Sequence, residues 1–417
     1  MKDTILLITA SYPYGSGETF IDNELPLLCD TYDVAILTSA IPSSNTMRSL
    51  PASAWAVAPP PPPRSRLRRI IHGIANIHNL KHMSPGEWRR CFGSVRNAYR
   101  CVCTASRIAD LRKAIRRVLA STQVDLIYTY WFDVGTLAAL IEREKGRVRC
   151  EVVTRAHRYD LYPEQQGGWI PLRDWAVSVV DAVFCIAEHG RDTLVASYPE
   201  QAAKITCCQL GTIDHGRIDW PASPEKDLPL RVVSLSNLVP VKRIDLLINT
   251  LSRLETIIDR PLAWMHIGDG PLRQELEELA HLSLNRTQWE LAGSVSNTEV
   301  YDLIKQFAPD LLVSTSDSEG LPVSMMESIS LGVPVVARDV GGNSEIVKDG
   351  VTGFLVGEPA VESIAEAISQ WDSLSDSDKI AMRQGARQFW ERQFDTSART
   401  KDFINHLSRF VDSWSQR

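Results

Sequence analysis

Glu319 and Glu327 stand either side of Gly320-Leu321-Pro322-Val323-Ser324-Met325-Met326. The apolar run Asp310–Ser314 reads as a buried strand ending near Ser314. Pro322 suits the first turn of a helix, where its missing N–H costs nothing. That helix closes at Leu331, with Gly332 as its cap. Glu319 then falls on a strand-to-helix loop, and Glu327 lies about one and a half turns into the helix. The helix start offers backbone N–H groups, among them those of Gly320, Leu321 and Val323, and its dipole favours a phosphate. Two carboxylates flanking a phosphate site suit the hydroxyls of a nucleotide sugar. An arbitrary pair at this spacing would be a loop Glu and a solvated helix Glu. The enclosed Gly-Leu-Pro makes the pattern more specific.

Other chemistry-bearing residues also sit where strands give way to helices. His157 follows the strand candidate Cys150–Ala156, and Tyr159 and Asp160 share its loop. Gly15 and Gly17 end the first strand–helix connection and allow close backbone approach to a sugar or phosphate. The full G-x-G-x-x-G fingerprint is absent there, which argues against a dinucleotide enzyme. Neither Asp317-Ser318-Glu319 nor Gly268-Asp269-Gly270 is a D-x-D metal motif, and Asp269 reads as a turn residue. The eight cysteines include no C-x-x-C pair, and Cys101 and Cys103 lack companion ligands at zinc-finger spacing. No structural metal and no disulfide is expected.

These residues must be positioned by the elements around them. Across 417 residues, 44% hydrophobic and 23% charged, the composition is globular, which excludes a disordered chain, a collagen-like repeat and a coiled coil. Strand candidates in the first half are Thr4–Ala10, Asp33–Ser39, Asp125–Trp131, Cys150–Ala156, Ala182–Ala187 and Lys204–Leu210. In the second half they are Leu230–Ser236, Leu262–Ile267, Thr287–Ala292, Asp310–Ser314, Val333–Ala337 and Gly353–Val356, with helical patterns between. Ser296 and Glu299 have capping-box spacing. Such alternation means parallel sheets covered on both faces. The expectation is two doubly wound, Rossmann-like domains facing a central cleft, the place where ligands bind in such folds. Residues 1–215 form the first domain, 216–229 a proline-rich linker, 230–375 the second domain and 376–417 helices that pack back on the first.

Net charge is −6, but residues 64–117 hold fourteen Lys/Arg against two acids, Glu87 and Asp110. That local +12 leaves −18 for the remainder. Pro59–Pro63 reads as a polyproline II run that sets the segment off. Leu67, Ile70, Ile71, Ile74 and Ile77 make part of it amphipathic, so it could lie on an anionic lipid surface or form a solvated helix face. Nucleic acid is the weaker reading, because no aromatic stacking motif accompanies the charge. The opening residues read as no signal peptide, and the apolar runs fall short of the ~18 residues needed to span a bilayer. The expected location is cytoplasmic, with peripheral attachment to the inner face of the cell membrane if the basic segment docks there.

The E-x7-E of Glu319 and Glu327 resembles that of the retaining family-4 glycosyltransferases, which have the GT-B fold. His266-Ile267-Gly268-Asp269-Gly270-Pro271-Leu272 resembles their Gly-Asp-Gly-Pro turn, and Gly332–Ala337, Gly341–Val347 and Gly350–Leu355 follow their C-terminal pattern in order. Tyr12–Phe20 and Arg155–Tyr162 are similar to the bacterial exopolysaccharide, capsule and O-antigen branch. The resemblance implies that Glu327 binds ribose hydroxyls and Glu319 donor-sugar hydroxyls. It implies that Lys242 neutralises the departing diphosphate and that His157 acts in the active site. Gly268 and Gly270 belong to the donor-binding turn. Where the family has Gly-Arg upstream of the lysine, this chain has Ser236-Asn237. Arg243 and Arg155 are the candidate substitutes for the missing cation. The implied activity is metal-independent transfer from a nucleotide sugar, with no cofactor, to a hydroxyl of a growing lipid-linked glycan. A GT-B epimerase, a sucrose-type synthase and an inactive binding subunit are the alternatives.

Overall fold

The structure, a computed structural model, describes residues 2–15, 17–40, 46–57, 65–220, 228–358 and 360–415. The chain divides into two compact units, Met1–Gln209 with Thr400–Arg417, and Leu210–Arg399.

Unit 1 is built on β1 (Thr4–Thr9), β2 (Asp33–Thr38), β3 (Ala54–Ala56), β4 (Leu126–Thr129), β5 (Glu151–Ala156), β6 (Ala182–Cys185) and β7 (Ile205–Cys207). They form one parallel sheet in the order β3-β2-β1-β4-β5-β6-β7. Period-two alternation sends Ile5 and Leu7 of β1 into one core and Leu6 and Ile8 into the other, so both faces are covered. Unit 2 repeats the plan with β8 (Leu230–Leu235), β9 (Leu262–Ile267), β10 (Thr287–Gly293), β11 (Leu311–Ser314), β12 (Val335–Arg338) and β13 (Gly353–Val356). Its parallel order is β10-β9-β8-β11-β12-β13. In each sheet the winding reverses beside the first strand, between β1 and β4 and between β8 and β11. Loops leaving the strand ends there diverge to opposite faces and open a crevice.

The structure departs from expectation at three places. β3 has three residues, too few to show a periodicity. The described part of the 216–229 linker is packed against unit 2 rather than hanging free. The Ile218 N–H donates to the Leu331 carbonyl at 3.0 Å, and the Arg383 guanidinium lies 3.6 Å from the centre of the Trp220 ring. Residues 221–227 of that linker, and Pro59–Pro63, lie outside the described residues. The C-terminal helices part company. Asp376–Gln393 belongs to unit 2, whereas the helix Thr396–Ser415 carries Phe403, Leu407 and Val411 into the core of unit 1.

The basic segment folds as helices Arg66–Ala75, Pro85–Phe92 and Val95–Ser121. Its cations are not equivalent. Arg112 is buried, with its Nε 2.6 Å from Glu142, and the Arg100 NH2 donates to the Trp169 carbonyl at 2.7 Å. Arg66 and Arg68 remain exposed. Leu67, Ile71 and Ile74, at 68%, 58% and 58% exposure, form an outward apolar stripe, while Ile70 is half-buried. Gly73 faces the long helix so closely that a Cβ there would meet the Val102 carbonyl at 2.1 Å.

Candidate active site

In unit 2 the loop after β8 and the loop after β11 are stitched together at the switch point. The Thr315 hydroxyl donates to the Lys242 and Arg243 carbonyls at 3.0 and 2.7 Å, and the Asp317 N–H to the Val241 carbonyl at 2.8 Å. This brings Lys242 Nζ to 2.6 Å from Glu319 Oε1, on a part-buried pair. Two residues 77 apart in sequence, each expected at the donor site, thus meet.

The helix Val323–Ser330 starts one residue later than expected, because Pro322 stands at the N-cap with extended backbone. Met325 and Met326 return their N–H groups to the Pro322 carbonyl, and the N–H groups of Val323 and Ser324 have no intrahelical acceptor. Gly320 and Leu321 are buried in the approach to this helix end. Glu327 is buried on the same helix, and burial pushes its carboxyl up to about 7. A hydrogen bond from the Tyr301 hydroxyl works in the opposite direction.

Below Glu319 the loop after β12 makes a close-fitting floor. Gly341 has φ +56°, and a Cβ there would stand 2.0 Å from the Glu319 carbonyl. The next residue, Gly342, donates its N–H to the Gly320 carbonyl at 2.9 Å. Arg338 pairs with Asp317 and donates to the Thr315 and Ser316 carbonyls, both at 3.3 Å. The loop after β9 abuts the β8 loop as tightly. Gly268, at φ +136°, would place a Cβ 1.9 Å from the Ser236 carbonyl, and a Cβ on Gly270 would stand 2.4 Å from the Leu238 carbonyl. His266 is buried between them, with Nε2 3.0 Å from the Ser236 carbonyl and Nδ1 2.8 Å from the Ser234 hydroxyl. Burial drives it down to about 4, so it stays neutral and holds the turn.

Arg243 does not replace the missing cation freely. Its guanidinium is held by Asp245 at 3.1 Å and by Asp317 at 3.5 Å. Arg155 is ruled out more firmly. It is 1% exposed, its NH1 lies 2.6 Å from Glu24, and its guanidinium sits over Phe403 at 4.0 Å. A buried, paired cation of this kind cannot reach a phosphate without leaving Glu24 uncompensated.

In unit 1, His157 sits just after β5 among aromatic rings. Trp131, Tyr130 and Phe20 have ring centroids 4.4, 5.1 and 5.9 Å from it. Both ring nitrogens are buried without a hydrogen-bond partner, and burial beside Arg155 keeps the ring well below the usual histidine range. Asp160 is not an open ligand. It is 1% exposed, and its carboxylate accepts the N–H groups of His157 and of Phe132, the latter at 2.6 Å. It fixes the loop that presents His157. Gly15, at φ +69°, and Gly17 are clamped by Arg48, whose Nε and NH2 donate to their carbonyls at 2.9 and 2.6 Å.

Arg48, Thr315, Arg338 and Tyr301 escaped the sequence reading. Only Arg338 carried a signal, since a charged residue ending the apolar run Val333–Ala337 must find a partner.

Residues 218–389 match the family described as glycosyl transferases group 1. A GDP-mannose-dependent alpha-(1-6)-phosphatidylinositol monomannoside mannosyltransferase of Mycobacterium tuberculosis is 27% identical over 313 residues, 70% of this chain and 78% of the relative. WcaL of Escherichia coli K12, a glycosyltransferase provisionally named for colanic acid biosynthesis, is 22% identical over 94% of this chain and 96% of its own. WaaB, a lipopolysaccharide outer core galactosyltransferase solved in its apo form, superposes with a TM-score of 0.69 at 17% identity. That likeness covers 97% of this chain and 99% of WaaB and shows a shared GT-B fold.

Proposed function

We propose that this glycosyltransferase, whose group 1 domain spans residues 218–389, moves a sugar from a nucleotide-sugar donor to a hydroxyl of a growing bacterial glycan with retention of anomeric configuration. The observation that carries the reading is the Lys242–Glu319 contact of 2.6 Å beside the start of the helix that bears buried Glu327. The hard step in such a transfer is the charge that develops on the leaving diphosphate. A fixed ammonium and oriented backbone N–H groups meet that charge as it forms. Lys242 is assigned to the diphosphate, Glu319 to hydroxyls of the transferred sugar and Glu327 to the ribose. With the charge met in this way, no metal is assigned to the reaction.

Retention follows from a front-face path, in which the leaving phosphate oxygen takes the proton of the attacking hydroxyl. In unit 1, His157 is assigned to a sugar hydroxyl. Its depressed basicity keeps it neutral, so one ring nitrogen can donate and the other accept.

A lipid-linked acceptor fits the relatives and the surface of unit 1. The stripe Leu67, Ile71 and Ile74 is bordered by exposed Arg66 and Arg68, while Glu87 is buried. Apolar side chains among cations suit shallow docking on anionic lipid. Among the described residues no helix is long and apolar enough to cross a membrane. Isothermal titration with UDP and GDP tests the donor assignment. One of them should bind, and Glu327→Ala should weaken it about tenfold by leaving ribose hydroxyls unpaired. Binding of neither nucleotide, or equal binding by the folded variant, contradicts it.

A further inference from the structure

Glu18 sits in the first strand–helix connection of unit 1, and its backbone is left-handed, at φ +56°. That conformation is costly for any residue with a Cβ. Its carboxylate offsets the cost by gathering five donors. Oε1 accepts the Ala10 N–H at 2.9 Å and the Trp131 indole N–H at 2.6 Å. Oε2 accepts the N–H groups of Ser11 and Tyr12 at 2.6 and 2.7 Å and the Ser11 hydroxyl at 3.2 Å. One side chain thus ties the loop leaving β1 to the loop leaving β4, the two strands that border the switch point. The tie ends at a ring with a purpose: Trp131 is the aromatic nearest His157, at 4.4 Å between centroids. Phe20, two residues beyond Glu18, packs against Tyr130 at 5.3 Å and Trp131 at 6.3 Å.

We propose that Glu18 is a positioning residue that holds Trp131 against His157 and so fixes the aromatic niche in which the histidine meets a sugar hydroxyl. A carboxylate is required there. Every neighbouring group donates, and the amide of a glutamine would turn a donor toward donors. Removing the tie frees the indole to rotate off His157 without touching the nucleotide-binding elements of unit 2. The inference rests on the assignment of His157 proposed above.

The test uses the full chain labelled with 5-fluorotryptophan, with Trp131→Phe identifying the Trp131 resonance. Nucleotide release is measured from UDP-glucose, UDP-galactose, UDP-N-acetylglucosamine and GDP-mannose. Glu18→Gln should shift the Trp131 resonance and lower release from the active donor about tenfold, as loss of a charge-assisted bond would. UDP or GDP affinity should stay unchanged. Trp131→Phe removes only the indole end of the tie and should cause a similar loss. The double variant should lose no more than about twofold beyond Trp131→Phe, since residues acting through one another are not additive. Losses that multiply, or an unmoved Trp131 resonance in Glu18→Gln, overturn the proposal. If Glu18→Gln fails to fold, Trp131→Phe with full turnover has the same force. If none of the four donors is cleaved, the resonance alone decides. His157→Ala at full turnover would instead remove the assignment on which the inference rests.

Discussion

Burial of Glu327 has a thermodynamic consequence that can be measured without knowing the substrate. Its carboxyl ordinarily titrates near 4.5 and is raised to about 7 in the folded chain. Between those two values the unfolded chain has released the proton and the folded chain has kept it. Stability therefore falls as pH rises through this window and levels off above about 7. Raising the carboxyl from 4.5 to about 7 corresponds to about 3 kcal/mol, an upper bound on the penalty. Glu327→Gln removes the ionisation but still buries an amide, so a net gain of about 1–3 kcal/mol at pH 8 is expected. For a unit of this size each kcal/mol is worth roughly 2–4 °C in Tm. Thermal unfolding of the native chain and the variant, followed from pH 5 to pH 9, should show curves that converge at pH 5 and separate above pH 7, with the variant more stable. The same variant should bind UDP or GDP more weakly at pH 8, since one of the two carboxylate acceptors is gone. A variant no more stable than the native chain at every pH would show that Glu327 carries no buried-charge penalty, and the reasoning from its environment would fail.

Lys242→Ala should lower kcat more than it raises the donor KM, because the ammonium matters most as the diphosphate departs, and an effect confined to KM would contradict that role. Gly341→Ala places a Cβ 2.0 Å from the Glu319 carbonyl on left-handed backbone, so it should displace the Glu319 loop and cost at least about 2 kcal/mol in chemical denaturation. Unaltered stability and activity would mean that the loop tolerates the shift. Replacing Leu67, Ile71 and Ile74 with Ser should abolish co-sedimentation with phosphatidylglycerol vesicles at low salt while leaving nucleotide affinity intact. Equal binding of the native chain to phosphatidylcholine vesicles would argue against a charge-guided lipid contact.

Much of the fold was legible because it rests on local signals. Buried parallel strands announce themselves as apolar runs, and the capping box at Ser296 and Glu299 marks a helix start that the structure reproduces. The Glu319 loop was legible for a similar reason, since a strand end, a proline and a helix cap fix its place. What stayed hidden depends on partners far along the chain. Arg155 looks like a phosphate ligand until Glu24, 131 residues away, is found to hold it. Distance along the chain likewise conceals Glu18 and Trp131, which lie 113 residues apart. Asp160 was placed on the correct loop, but only the fold shows that its carboxylate faces inward to backbone N–H groups. In the basic segment, composition counted Arg100 and Arg112 with the rest, although tertiary contacts take both out of the solvent-facing set.

Product analysis distinguishes retaining transfer from a nucleotide sugar, with Lys242 supporting the leaving group, from every alternative outcome at the sugar carbon. The native chain is incubated with the four donors and a membrane-lipid or short glycan acceptor in the presence of EDTA, and the new linkage is read by NMR. The expected outcome is an α-linked product from an α-configured donor, nucleotide released in step with product, and loss of both in Lys242→Ala. A product of inverted configuration, or undiminished transfer by Lys242→Ala, would contradict it.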